Sequence, residues 1–77
     1  MAKISGVKEN SIAEELEIVE GDELISIDGI ELKDSIDYNF YTKAEELTIL
    51  IKKQDGEYEE IELEKDFDED LGLIFES

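Results

Sequence analysis

The sequence predicts a mainly β, α+β domain: a small, partly open barrel or sandwich of about six strands capped by two helices. Three observations predict it. Short runs of β-formers recur around Asp-Gly turn signals at Asp28-Gly29 and Asp55-Gly56. Two further stretches carry helix caps followed by apolar residues at helical spacing. Leu, Ile, Val and Phe supply 24 of the 77 residues, too many for a disordered chain despite a formal net charge of −17.

The elements follow in order. Lys3 to Val7 reads as a first strand. Asn10 and Ser11 offer N-caps, and Ser11-Ile12-Ala13-Glu14 has the form of a capping box. A short helix over residues 11–16 would bury Ile12, Ala13 and Leu16. Gly21-Asp22 marks a turn. Leu24 to Ile27 is too apolar for a strand with one wet face, which places it centrally. Asp28-Gly29 then turns the chain into a brief strand at Ile30 and Leu32. Asp34 or Ser35 caps a second helix over roughly residues 35–44, with Ile36, Phe40 and Ala44 on one face. Leu47 to Ile51 reads as a core strand, Asp55-Gly56 as a hairpin turn, and Tyr58 to Glu64 as the returning strand. Tyr58 is out of phase with Ile61 and Leu63, which points to a bulge or a frayed start. An acidic loop, Asp66 to Asp70, leads to a last apolar run from Leu71 to Phe75.

Composition narrows the function. There is no Cys, His, Trp, Pro or Arg. That removes disulfides, zinc-thiolate sites, thiolate nucleophiles and imidazole bases. The acidity argues against nucleic acid and anionic membranes, whose binding depends on Lys and Arg. The length suits one domain with a thin core, stable by about 4–11 kcal/mol on a per-residue scale. Met1-Ala2-Lys3-Ile4 has no basic stretch followed by an apolar core, so the sequence reads without a secretory signal and points to the cytoplasm. No apolar run approaches the ~20 residues of a membrane span.

Ser11-x-Ala13 followed by Gly21-Asp22-x-Leu24-Ile25-x-Ile27-Asp28-Gly29 resembles the core signature of PDZ domains of bacterial type. The remaining elements arrive in that family's order and end on Leu71-Gly72-Leu73. The order is similar to a circular permutation of the animal PDZ arrangement, with the carboxylate-binding loop and its strand at the C-terminus. Ile36-Asp37-Tyr38 and Glu69-Asp70-Leu71-Gly72-Leu73 are also similar to the N-terminal PDZ-like domain of a family of bacterial iron–sulfur proteins of radical-SAM type. That resemblance implies that residues 1–77 are a single domain excised from a longer protein, with a cysteine-rich catalytic region beyond Ser77. Three features depart from the family's pattern, one of them the acidic loop of Asp66, Asp68, Glu69 and Asp70 before Leu71. Glu17 stands where a glycine usually ends the first helix, so a different helix exit is expected. Asp37 stands at a groove position that is often His in animal PDZ domains.

The resemblance implies a peptide-binding site. The backbone N–H groups of Leu71, Gly72 and Leu73 would form an anion nest. Ile74 and Phe75 would pair with an added peptide strand, and Asp37 and Tyr41 would line the opposite wall. Asp66, Asp68, Glu69 and Asp70 precede that nest and oppose a free C-terminal carboxylate within a Debye length of ~10 Å. The expected partner is therefore a cationic or internal peptide segment, or the protein's own downstream catalytic domain. No catalytic residue, metal or cofactor is expected in this domain, and it is expected to be monomeric. Asp66-x-Asp68-x-Asp70 fails the EF-hand pattern, because Leu71 and Ser77 occupy the positions that need Gly and Glu. The alternatives are a purely structural acidic domain without a working groove, or a weak divalent-cation binder.

Overall fold

Six antiparallel strands form an open sheet with one short helix among the described residues. The structure is a computed structural model that describes residues 2–32, 38 and 40–76. Along the chain run β1 (Ala2–Val7), α1 (Ile12–Glu15), β2 (Glu23–Ile27), β3 (Ile30–Glu31), β4 (Glu46–Lys52), β5 (Tyr58–Glu64) and β6 (Leu73–Phe75). The order across the sheet is β5-β4-β2-β1-β6, with β3 paired to β2 off this path. The mainly β class expected from the sequence is the class found. None of the helices among the described residues is long and apolar enough to cross a membrane.

Alternation builds the core. Leu47, Ile49 and Ile51 of β4 are buried while their neighbours in sequence are not, so one face of the strand is dry. They pack with Ile4, Ala13, Ile18, Leu24, Ile27 and Leu32. Each fully buried aliphatic side chain contributes about 1.5–3 kcal/mol, so the layer around β4 supplies much of what holds the sheet together. β2 is central, as its composition predicts, with β1 and β4 beside it. Glu23 of β2 lies in register between Lys3 and Lys52, an opposite-charge row across three strands.

The turns use the expected residues. Asp28 (φ 51°) and Gly29 (φ 80°) are both left-handed, which a primed two-residue hairpin requires. Asp28 also ties β2 to β4: its carboxylate accepts from the Thr48 N–H at 2.9 Å and its own N–H donates to the Thr48 carbonyl at 2.7 Å. At Asp55-Gly56, Lys53 N–H donates to the Glu57 carbonyl at 2.7 Å, closing the β4–β5 hairpin.

Three details differ from the sequence reading. Tyr58 is neither bulged nor frayed. β5 pairs β4 without a register shift from Glu46↔Glu64 to Lys52↔Tyr58. Its phase is that of the outer face, where it is exposed and Lys52 lies 5.9 Å from its ring centroid. The exit of α1 is also not a new one. Glu17 takes the left-handed conformation (φ 64°) that glycine would favour. Ile18 N–H bonds to the Ala13 carbonyl and Glu17 N–H to the Glu14 carbonyl, the paired bonds of a Schellman cap. The third difference lies in the second helix. Residues 33–37 and 39, with the expected caps Asp34 and Ser35 and the expected face residue Ile36, fall outside the described residues. At Tyr38, Phe40 and Tyr41 the backbone is helical, but Phe40 is 72% exposed while Tyr38 and Thr42 are buried. The inward face is turned away from Phe40, because Tyr38 finds a ring partner and a hydrogen-bond partner inside.

Gly21-Asp22 does more than turn the chain. Asp22 is completely buried. Its carboxylate receives Lys53 Nζ at 2.6 Å, Val19 N–H at 3.1 Å and Gln54 N–H at 3.2 Å. One aspartate thereby locks the segment after α1 to the β4–β5 hairpin.

Candidate functional site

The two edges of the sheet differ in chemistry. β5 presents Glu60, Glu62 and Glu64 on its exposed face, a charged edge that resists pairing with another chain. β6 is short and apolar, Leu73-Ile74-Phe75, and pairs only with β1 among the described residues. Ile74 is 45% exposed. β6 is therefore the unguarded edge.

The loop before β6 is built on α1. Ser11 caps the helix: its hydroxyl accepts from Glu14 N–H at 3.2 Å and donates to the Lys8 carbonyl at 2.7 Å. Glu14 reaches back to Asn10 N–H at 3.1 Å, one residue before the cap itself. Ala13 N–H then donates to the Leu71 carbonyl and Lys8 N–H to the Gly72 carbonyl, both at 2.9 Å. Gly72 has φ 92°, and a Cβ there would stand 2.3 Å from Ser11 Cβ. Only glycine fits, for both conformational and steric reasons.

Asp70 folds back over this loop. Its Oδ1 accepts from Gly72 N–H at 3.2 Å and from the Tyr38 hydroxyl at 3.1 Å, and its Oδ2 pairs with Lys8 Nζ at 2.9 Å. Partial burial pushes the Asp70 carboxyl up, but bonds from Lys8, Gly72 N–H and Tyr38 together outweigh it and hold the group below its usual value. Burial raises the Tyr38 phenol well above its usual value. The charge and hydrogen bond of Asp70 add to that, and the Leu73 backbone opposes it. The Tyr38 ring stands edge-on to Phe75, centroids 4.8 Å apart, so Tyr38 bridges the loop and β6.

The structure brings several of the expected site residues together. Leu71, Gly72 and Leu73 are buried, with the two leucines directed into the core. Ile74 and Phe75 lie on β6, exposed and half-buried respectively. Tyr41 is half-buried against the core, edge-on to Phe40 at 5.1 Å. Asp37 lies outside the described residues. Sequence reasoning missed Tyr38 and Lys8. Both act through Asp70, at 32 and 62 residues' separation, and no local spacing signals such partners.

Other concavities are open and acidic. One of about 610 Å³ lies over the β4–β5 ladder between Glu46, Glu62 and Glu64. A cleft of about 120 Å³ adjoins the loop, lined by Thr42, Lys43, Phe67, Asp68, Glu69 and Asp70. Among the described residues, no group of three or more acids is placed to hold a metal ion.

Among curated proteins, none matches the chain. The family model for the PDZ domain matches residues 3–53, from β1 through α1 and the Gly21-Asp22 turn to the end of β4. The matched span holds the buried Asp22 and Lys53 and stops before the Leu71–Phe75 segment. Spanning well over half of the 77 residues, it shows that the chain belongs to the PDZ domain family.

Proposed function

We propose that this domain binds a peptide segment by strand addition on β6, with the Leu71-Gly72-Leu73 loop at one end of the groove and the helical turn carrying Tyr41, together with Asp37, as its far wall. A PDZ domain is a protein-interaction module, and PDZ domains are generally non-catalytic. The observation that carries the finer reading is the contrast between edges: β5 is blunted by glutamates, whereas β6 is apolar and pairs with β1 alone among the described residues. The permuted order is supported by the position of β6, last in the chain and beside the first strand.

The partner is cationic or intramolecular. A charge of −17 attracts basic segments over distance, and Asp66, Asp68, Glu69 and Asp70 concentrate that charge at the groove's end. The likeness to the N-terminal domain of radical-SAM iron–sulfur proteins supports placing this domain ahead of a catalytic region on which it docks. A cysteine triplet in the native sequence after Ser77 is the outcome that reading expects. A native sequence without one removes it.

A second reading has an observation of its own. Leu71 and Leu73 fill the core, as they would in a purely structural acidic domain. Hydrogen exchange separates the two. Adding a lysine-containing peptide should slow exchange at the Phe75 amide, which alternation turns away from β1 because the next amide, Glu76 N–H, donates to the Lys3 carbonyl. Binding that depends steeply on salt without protecting β6 supports the structural reading.

A further inference from the structure

We infer that Asp70 is a built-in substitute for a ligand carboxylate: it occupies the anion position of the Leu71-Gly72-Leu73 loop and makes the groove select peptide segments that lack a free C-terminal carboxylate. The inference rests on the β6 groove proposed above and names what that groove refuses.

Three donors from three parts of the chain converge on this side chain. Gly72 N–H comes from the loop itself, the Tyr38 hydroxyl from the helical turn, and Lys8 Nζ from the residue after β1. A carboxylate offers about four acceptor positions, and these three donors fill most of them. A backbone N–H at a left-handed glycine beside a lysine is the donor set that would receive a terminal carboxylate. Here an internal carboxylate already holds it. A second anion brought to the same N–H would meet a full like charge.

The arrangement is specific to Asp70 and not a property of the acidic loop as a whole. Glu69 is engaged within the loop, where its N–H donates to the Asp66 carbonyl at 3.0 Å and its carboxylate accepts from Asp66 N–H at 3.3 Å. The loop also does not depend on Asp70 for its shape. Ala13 N–H and Lys8 N–H hold the Leu71 and Gly72 carbonyls independently. Removing the Asp70 side chain therefore leaves Gly72 N–H and Lys8 Nζ in place and without an acceptor. The Asp70 side chain is half exposed, so it caps the site and does not form part of the core.

The test uses one neutral octapeptide with an aliphatic last residue, made as the free acid and as the C-terminal amide. Affinities are measured by amide-shift titration for the wild type, Asp70→Ala, Asp70→Asn and Asp68→Asn. The wild type should bind the acid no more tightly than the amide. Asp70→Ala should bind the acid at least about tenfold more tightly than the amide, the factor that corresponds to 1.4 kcal/mol. Asp70→Asn keeps an acceptor at Gly72 and should gain less. Asp68→Asn should behave as the wild type. No preference for the acid in Asp70→Ala, or an equal gain in Asp68→Asn, overturns the inference.

A second measurement needs no variant. The Gly72 amide proton should shift with the titration of Asp70, with a midpoint below the ordinary carboxylate value of about 3.9. The other charged or titratable groups around Asp70 are Lys8, Tyr38, Lys43, Asp68 and Glu69. A Gly72 proton that does not move below about pH 4 overturns the inference. If the amide peptide binds β6 while Asp70→Ala shows no acid preference, only this inference fails. If no peptide perturbs β6 in any variant, the groove itself fails.

Discussion

Replacing Asp22 with alanine tests the fold at a fully buried carboxylate. The side chain is fully buried and accepts three hydrogen bonds, from Lys53 Nζ, Val19 N–H and Gln54 N–H. Alanine removes all three. Two backbone donors lose their partner, and each such unmade bond costs about 1–3 kcal/mol when buried. Lys53 keeps a bond to the Glu17 carbonyl at 3.1 Å, and its side chain is 24% exposed, so part of its hydration returns. Breaking a fully buried pair costs about 3–5 kcal/mol, and the partial exposure of Lys53 places this one near about 3 kcal/mol. Against a total of about 4–11 kcal/mol, that is a large share. Urea unfolding followed by circular dichroism reads it directly. With an m-value of about 1 kcal/mol/M, the midpoint should fall by about 3 M with m unchanged. Asp22→Asn retains an acceptor and should lose about half as much. A loss below about 1 kcal/mol in Asp22→Ala would refute the reasoning.

Three further outcomes follow from the backbone and the site. Gly72→Ala should destabilise by at least about 2 kcal/mol, from a left-handed φ and the clash with Ser11, and should lower Tm by about 8 °C or more. Glu17→Gly should raise stability by about 1 kcal/mol, because it relieves a left-handed non-glycine residue in an otherwise complete helix cap. Tyr38 supplies an alkaline limb. Its folded-state pKa is raised, so its contribution is fully present below about pH 10 and is lost as pH rises above that value. Unfolding free energies measured from about pH 9 to 11.5 should therefore fall more in the wild type than in Tyr38→Phe.

Local chemistry made much of the fold legible. Asp-Gly pairs marked both hairpin turns because the left-handed angles at Asp28, Gly29 and Gly56 are permitted to few other residues. Ser11 marked the start of α1 because its hydroxyl meets an otherwise unpaired N–H. The alternation at Leu47, Ile49 and Ile51 marked the core strand. What stayed hidden depends on partners distant in the chain. Periodicity placed Phe40 inward, yet Tyr38 is buried instead, since its phenol is satisfied by an aspartate 32 residues away. Glutamate at position 17 masked a left-handed angle that the glycine usual there would have signalled, and that the paired cap bonds from Glu17 and Ile18 impose. The acidic loop was legible as a charge. That one of its members turns back onto Gly72 was not, because loop residues carry no period that fixes side-chain direction.

The central claim is that the groove beside β6 accepts a peptide strand through its backbone. The most direct test is amide-shift mapping of the wild-type domain on addition of an amidated octapeptide containing lysine. Perturbations should concentrate at Leu71 to Phe75 and at Tyr38 and Tyr41. Perturbations confined to the glutamate face of β5, with β6 unmoved, would contradict the claim.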